Sequence, residues 1–358
     1  METNKILTVA VPTYNMERYL GRCLDSLILP KELMERLEVL VVNDGSKDKS
    51  SQIAHEYENR FPLTFRVIDK QNGNYGSCVN RALDEAKGKY FRILDADDRF
   101  NPETFPTFIR ELSKADADMV LTHHYFTYDW SKKKIKKRKR SDKIDYGKVY
   151  DASDFDFEEL ECADTLLLMH SVTYKLDILK KVGLRHQTGI GYTDIEYVYF
   201  PLVAVKTILP IDIYLYAYTL GREGQTISLS AFNKSNEAHF LIARRMLDDF
   251  INCELNKTDK HLYRKQAILI DSRVLSSIHL MLCLSKRDPI HEDRLKAMYE
   301  DIKKYIPEIL PTLRKDKYKH MIHYFRVWEK NGKFMSDFPY YILGNSIDWI
   351  KRLIPKVH

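Results

Sequence analysis

Three carboxylates fall within four residues at Asp95-Ala96-Asp97-Asp98, directly after the apolar run Tyr90 to Leu94. Carboxylates packed so closely repel one another unless they are protonated or share a cation. Oxygen ligation of this kind suits Mg²⁺ or Mn²⁺, which favour carboxylates together with substrate phosphates. The same residues also fit an acidic turn that caps a helix at Asn101-Pro102. Two further polar clusters close apolar runs earlier in the chain, Val11-Pro12-Thr13-Tyr14-Asn15 and Val42-Asn43-Asp44-Gly45-Ser46.

These clusters need a scaffold that brings successive strand ends to one edge. β-branched apolar runs at Ile6 to Val11, Leu37 to Val42, Thr64 to Ile68, Tyr90 to Leu94 and Met119 to Thr122 read as strands. Helical periodicity fits Met16 to Leu29, Lys49 to Arg60, Gly76 to Ala86 and Pro102 to Leu112 between them. The alternation predicts an α/β fold, a doubly wound and mostly parallel sheet flanked by helices, whose carboxyl edge is the place for ligands. A more irregular stretch to about residue 229, with strand-like Ile208 to Thr219, reads as the second half of the same domain. Beyond Ser230, Ala238, Leu241, Ile242, Met246 and Phe250 recur at helical spacing, as do Ala267, Ile270, Val274, Ile278 and Leu282. The expected division is a domain over 1–229, with halves 1–125 and 126–229, and a helical C-terminal region over 230–358.

In order and spacing, Val-Pro-Thr-Tyr-Asn, Asn-Asp-Gly-Ser and Asp-Ala-Asp-Asp make the chain resemble the glycosyltransferase family 2 enzymes with the GT-A fold. The resemblance is carried by residues 5 to 125 and extends to about 228. It implies an inverting, metal-dependent transfer of a sugar from a UDP-sugar to an acceptor hydroxyl, in cell-envelope or extracellular polysaccharide or glycolipid synthesis. Under it, Pro12, Tyr14 and Asp44 hold the nucleobase and ribose, which suits an aromatic face beside one carboxylate acceptor. Asp95 contacts the donor sugar or ribose, and Asp97 binds Mn²⁺ or Mg²⁺ on the diphosphate. Asn72 and Asn80 approach the donor from Asn72-Gly-Asn-Tyr-Gly76-Ser-Cys-Val-Asn80, although Cys78-Val79-Asn80 stands where the family commonly has Ala-Arg-Asn. Asp194 falls at the family's general base, with Thr193 in place of the usual Glu. A mobile Gly-containing segment puts Arg222 and Gln225 near the diphosphate, and His170 lines the acceptor pocket. Taken by themselves, Asn43 to Ser46 fits a plain turn, Tyr14 and His170 fit packed positions, and Asp194 fits a helix cap.

Charge and cysteine content narrow the partners. Of the net +6, residues 132 to 143 carry nine Lys or Arg against one Asp, a local +8 that leaves −2 for the rest. Without interleaved aromatics or a groove-reading helix this segment does not read as a nucleic-acid site. It fits a solvated loop or attraction to an anionic membrane surface, as does Tyr340 to Ile354, which reads as an interfacial helix or a docked core helix. The five cysteines are scattered, without a Cys-x-x-Cys pair, which argues for reduced thiols. With no leader pattern at the N-terminus, the expected location is the cytoplasm, peripheral at the inner face of the membrane, with a saccharide, lipid-linked or polymer acceptor. The Gly-x-x-x-x-Gly-Lys, Gly-x-Gly-x-x-Gly, Gly-x-Ser-x-Gly and His-Glu-x-x-His patterns are absent. A nucleotidyltransferase lacks its Gly-rich phosphate loop here, and a non-catalytic nucleotide-sugar or polymer-binding scaffold is the other alternative. Replacing Lys132, Lys133, Lys134, Lys136 and Lys137 with Ser is expected to weaken co-sedimentation with anionic vesicles. Neutral vesicles serve as the control, and the difference should shrink as salt is raised.

Overall fold

A computed structural model describes residues 5–128, 131–135, 141–157, 167–220, 229–254 and 289–307, with parts of 258–270 and residue 330. The chain divides into two compact units, Met1–Arg222 and Glu223–His358. In the first, β1 (Leu7–Thr13) and β2 (Leu37–Asn43) are buried along their whole length. That is the pattern of strands covered on both faces, and it explains their nearly unbroken apolar sequence. They pair in parallel from Leu7↔Leu37 to Thr13↔Asn43, so the Tyr14 and Asp44 loops leave the sheet side by side.

Outside β2 lies β3 (Phe65–Asp69), and on the other flank of β1 lies β4 (Tyr90–Ile93), both parallel to their neighbours. The short antiparallel β9 (Val172–Lys175) then separates β4 from β6 (Met119–Tyr128). β10 (Thr207–Leu220) runs parallel to β6, and β5 (Arg99–Phe100) lies antiparallel on its far side. With β7 (Ser131–Ile135) on β6 and β8 (Tyr150–Asp151) on β10, the described residues form a ten-stranded mixed sheet. The helices on this frame are α1 (Leu20–Asp25), α2 (Lys31–Met34), α3 (Ser50–Arg60), α4 (Asn74–Glu85), α5 (Phe105–Lys114), α6 (Leu176–Lys181) and α7 (Asp194–Tyr199).

The expected helix over Met16–Leu29 is trimmed to α1. Asn15 takes a φ of 52°, and a turn closed by Tyr19 N–H on Met16 O occupies the positions ahead of Leu20. Likewise α5 begins at Phe105 because residues 102–104 form a turn, whose Glu103 N–H donates to Asn101 Oδ1. α4 packs Cys78, Val79, Ala82 and Leu83 inward. Its far end is locked by a buried carboxylate. Glu38 accepts hydrogen bonds from Thr8 Oγ1 at 2.7 Å and Lys87 N–H at 2.8 Å, and Thr8 Oγ1 accepts one from Gly88 N–H at 2.8 Å.

In the second unit, α8 (Leu229–Asn252) and α9 (Pro289–Tyr305) bury Ile242, Met246, Leu295, Met298 and Ile302. Arg244 meets Asp301 at 2.6 Å, and Arg294 meets Glu237 at 2.6 Å. Val274, Ile278, Leu282 and the segment Tyr340 to Ile354 lie outside the described residues. No described helix is long and apolar enough to cross a membrane.

Gly88 sits so close to β1 that an added Cβ would lie 2.4 Å from Thr8 N. Gly88→Ala must therefore push the α4–β4 turn off β1, and about 1–3 kcal/mol of stability should be lost in a denaturant melt.

Candidate active site

The carboxyl ends of β1, β2 and β4 place the three polar clusters on one edge. Asn15 and Ser46 stitch the first two loops together: Asn15 N–H donates to Ser46 Oγ at 3.0 Å, and Lys47 N–H to Asn15 Oδ1 at 2.8 Å. Tyr14 remains 46% exposed, so its ring is available to a ligand. Pro12 is buried within β1 beside Val42, where it shapes the approach to Tyr14. Asp44 is buried, and its Oδ1 accepts from Lys70 Nζ at 2.5 Å and from Gly73 N–H at 3.0 Å. The exposed Asn72 donates to the Asp44 carbonyl at 3.0 Å. Lys70 is the cation that lets Asp44 stay buried at the end of β2.

The acidic turn separates its three carboxylates by giving each different neighbours. Asp98, fully buried, accepts from Tyr216 Oη–H at 2.7 Å and from Thr219 N–H at 2.6 Å. Burial, then the charges of Asp97 and Asp95, push its carboxyl well above the usual range. Asp95 accepts from Tyr75 Oη–H at 3.1 Å, and its N–H donates to Tyr216 Oη at 3.2 Å. Asp97 lends its carbonyl to Arg22 at 3.2 Å. His170, from the 3₁₀ turn Met169–Ser171, rests edge-on against Tyr216 at 4.7 Å between ring centres and tilted against Tyr218 at 4.8 Å.

Ligand atoms of Asp95, Asp98 and His170 lie within 4.8 Å of one another, and this is the cluster of metal-ligating type among the described residues. Two carboxylate oxygens suit Mg²⁺ or Mn²⁺, and the added imidazole nitrogen suits Mn²⁺ better. The donor set therefore fits a divalent cation, with Asp97 beside the cluster rather than in it. His170, expected at an acceptor pocket, is placed with the acidic turn.

Asp194 opens α7, and its charge reaches the same space. The Tyr75 hydroxyl is raised well above its ordinary value by burial, then by Asp95 and Asp194. The Tyr218 hydroxyl is raised by burial, then by Asp98, Asp95, Asp97 and Asp194. Two phenols thus register the convergence of the acidic turn with Asp194, and both keep their protons at neutral pH. The loop ahead of α7 is clamped to α4. Asn80 donates to His186 O at 2.9 Å and accepts from His186 N–H at 2.7 Å, which engages both ends of its amide. Gly189 N–H donates to Gly73 O at 3.1 Å. Glu196, fully buried, accepts from Gln187 N–H and Gln187 Nε2, each at 2.8 Å.

Residues 8–175 match the family model described as glycosyl transferase family 2. Over this segment the chain is similar to the glycosyl transferase family 2 enzymes. The chain is 37% identical over 127 residues to an uncharacterized glycosyltransferase, the MG025 homolog of Mycoplasma pneumoniae, covering 35% of this chain and 41% of that protein. It is 34% identical over 125 residues to the minor teichoic acid biosynthesis protein GgaB of Bacillus subtilis, covering 34% of this chain and 14% of that one. The matched segments span less than half the length of these curated relatives. Across 96% of this chain and 92% of the other, the fold is similar to that of S. aureus TarS 1-349, solved in complex with UDP-GlcNAc, with a TM-score of 0.60 and 21% identity. The GT-A fold expected from the motifs is the fold found.

The family 2 match ends at Lys175, so Asp194 and the loop before α7 lie beyond it. Arg222 and Gln225 lie outside the described residues. Lys70, Tyr75 and Tyr216 join the site through the structure rather than through a motif. Tyr75 does stand inside the quoted Asn72–Asn80 stretch, and Tyr216 inside the strand-like Ile208 to Thr219, so type and position offered a signal that only pairing made specific.

Gly76 lets α4 pack tightly against this loop: an added Cβ would lie 2.0 Å from Gln187 O. Gly76→Ala should lower the melting temperature and open residues 186–193 to limited proteolysis. Gly191→Ala, where an added Cβ meets nothing within 4 Å, should leave both readouts unchanged.

Proposed function

We propose that this chain transfers a sugar from a UDP-sugar to an acceptor hydroxyl with inversion, in building a cell-envelope or extracellular polysaccharide or glycolipid. The observation that carries this reading is the meeting of Asp95, Asp98 and His170, whose ligand atoms lie within 4.8 Å of one another, at the strand edge of a segment that matches family 2. The likeness of fold to TarS, whose structure holds UDP-GlcNAc, supports a UDP-sugar donor, and the similarity to GgaB supports a cell-envelope product.

In this reading Tyr14 stacks on the base while Asp44, steadied by Lys70 and Gly73, accepts a ring N–H. Asp95 orients the donor sugar with the Tyr75 hydroxyl fixing its carboxylate. Asp95, Asp98 and His170 would hold Mn²⁺ or Mg²⁺, which would supply positive charge for a diphosphate leaving group. Asp194 takes the acceptor proton, so a single carboxylate base serves an inverting transfer. Asn72 supports the donor from the loop before α4, while Asn80, its amide engaged at both ends by His186, holds the loop before α7 instead. Membrane association through the basic segment would bring this chemistry to a lipid-linked or polymer acceptor.

Release of UDP from a panel of UDP-sugars with Mn²⁺ or Mg²⁺ tests the reading, and absence of both UDP release and UDP binding would overturn it. Asp194→Asn should cut acceptor transfer by about 100-fold or more, as expected for loss of a general base, while UDP affinity stays near wild type. A collapse of donor affinity would instead make Asp194 structural. The two metal assignments are separable by Mn²⁺ titration. Asp97→Asn weakens binding if the family-implied ligand holds, whereas Asp95→Asn, Asp98→Asn and His170→Ala weaken it and Asp97→Asn does not if the geometric cluster holds.

A further inference from the structure

Arg92 carries a positive charge into the middle of the sheet, fully buried on β4, and no ion pair meets it among the described residues. Burial lowers its pKa to about 10, so it remains charged at neutral pH. A leucine at this position would avoid the desolvation cost entirely. What the guanidinium does instead is reach three segments at once. Its Nη1 donates to Thr173 Oγ1 on β9 at 2.7 Å and to Thr122 Oγ1 on β6 at 3.1 Å, and its Nη2 donates to the carbonyl oxygen of His170. The faces of Phe100 and Phe108, 5.4 Å and 5.7 Å from the guanidinium carbon, offset part of the lost hydration.

The His170 carbonyl is the informative partner. It belongs to the 3₁₀ turn that leads into β9, and that turn carries the imidazole to Asp95 and Asp98. Ser171 Oγ lies 2.9 Å from His124 Nδ1, a second tie on the same turn. The planar fork sets a direction as well as a charge, which an ammonium on a flexible stem does not. We propose that Arg92 is a positioning residue that fixes the main chain at His170, so that the imidazole completes the cluster with Asp95 and Asp98. The proposal rests on the reading of that cluster as a divalent-cation site. It extends the site inward to a residue that touches neither cation nor substrate.

The test is Mn²⁺ binding to the full chain, followed by the loss of the free-ion electron paramagnetic resonance signal. Arg92→Met should raise the Mn²⁺ dissociation constant by about 10-fold, the scale seen when a group orienting a metal ligand is lost. In a His170→Ala background the same substitution should cause no further change, because the two act as one unit. Thr173→Val keeps the charge and removes one anchor, so it should shift affinity in the same direction by a smaller factor. It also supplies the measurement if Arg92→Met does not fold. Unchanged Mn²⁺ affinity in folded Arg92→Met, or in Thr173→Val where Arg92→Met does not fold, overturns the proposal, even if the melting temperature falls. An equal loss with and without His170 overturns it as well. Failure of the wild type to bind Mn²⁺ removes the cation reading itself, and the proposal with it.

Discussion

Three like charges within four residues would force the turn after β4 apart, and much of the surrounding structure is arranged around preventing that. Asp98 is sent inward to Tyr216 and the Thr219 amide, while Asp95 is tied to Tyr75. These partners come from α4 and β10, two elements on different sides of the turn. Because burial and negative charge keep the phenols protonated, they are permanent donors to the carboxylates. The Cys23 thiol beneath the turn, lying 3.7 Å from Asp95 O, is held protonated by the same combination.

A second dependence runs through backbone approach. α4 touches the loop before α7 through Asn80, Gly73 and Gly76, and Glu196 grips that loop from the helix it precedes. A belt of amide hydrogen bonds thus fixes the loop that leads into Asp194. Among the described residues three adopt positive φ without being glycine: Asn15 and Tyr192 in loops at this edge, and Asn74 at the first position of α4. Strain of this kind persists where neighbouring structure holds it, and here the belt and the stitched β1 and β2 loops do so.

The first four strands were legible because each is a short apolar run ending in polar residues, and the pairing of β1 with β2 carries those ends to one edge. β9 was not legible as a strand. Four residues paired antiparallel on both sides leave no periodicity to read, and their role as a wedge between β4 and β6 depends on partners far away in sequence. The trimming of the first helix to Leu20–Asp25 follows from the conformation of Asn15, which no local propensity announces. At the site, Asp44 and the acidic turn could be found by residue type. Lys70, Tyr75 and Tyr216 could not, because a lysine or tyrosine gains its meaning only from the carboxylate it meets.

β10 adds a consequence for how the protein is made. Thr219 N–H meets Asp98 across 121 positions of sequence, so during synthesis the acidic turn emerges long before its most deeply buried partner. β1 to β4 can pair while β10 is still untranslated, but the turn they carry keeps its charges hydrated until that strand is inserted beside β6. Long-range pairing of this type closes late. The N-terminal layer of the sheet is therefore a vectorial platform, and the chemistry-bearing edge matures only in the last step of assembly.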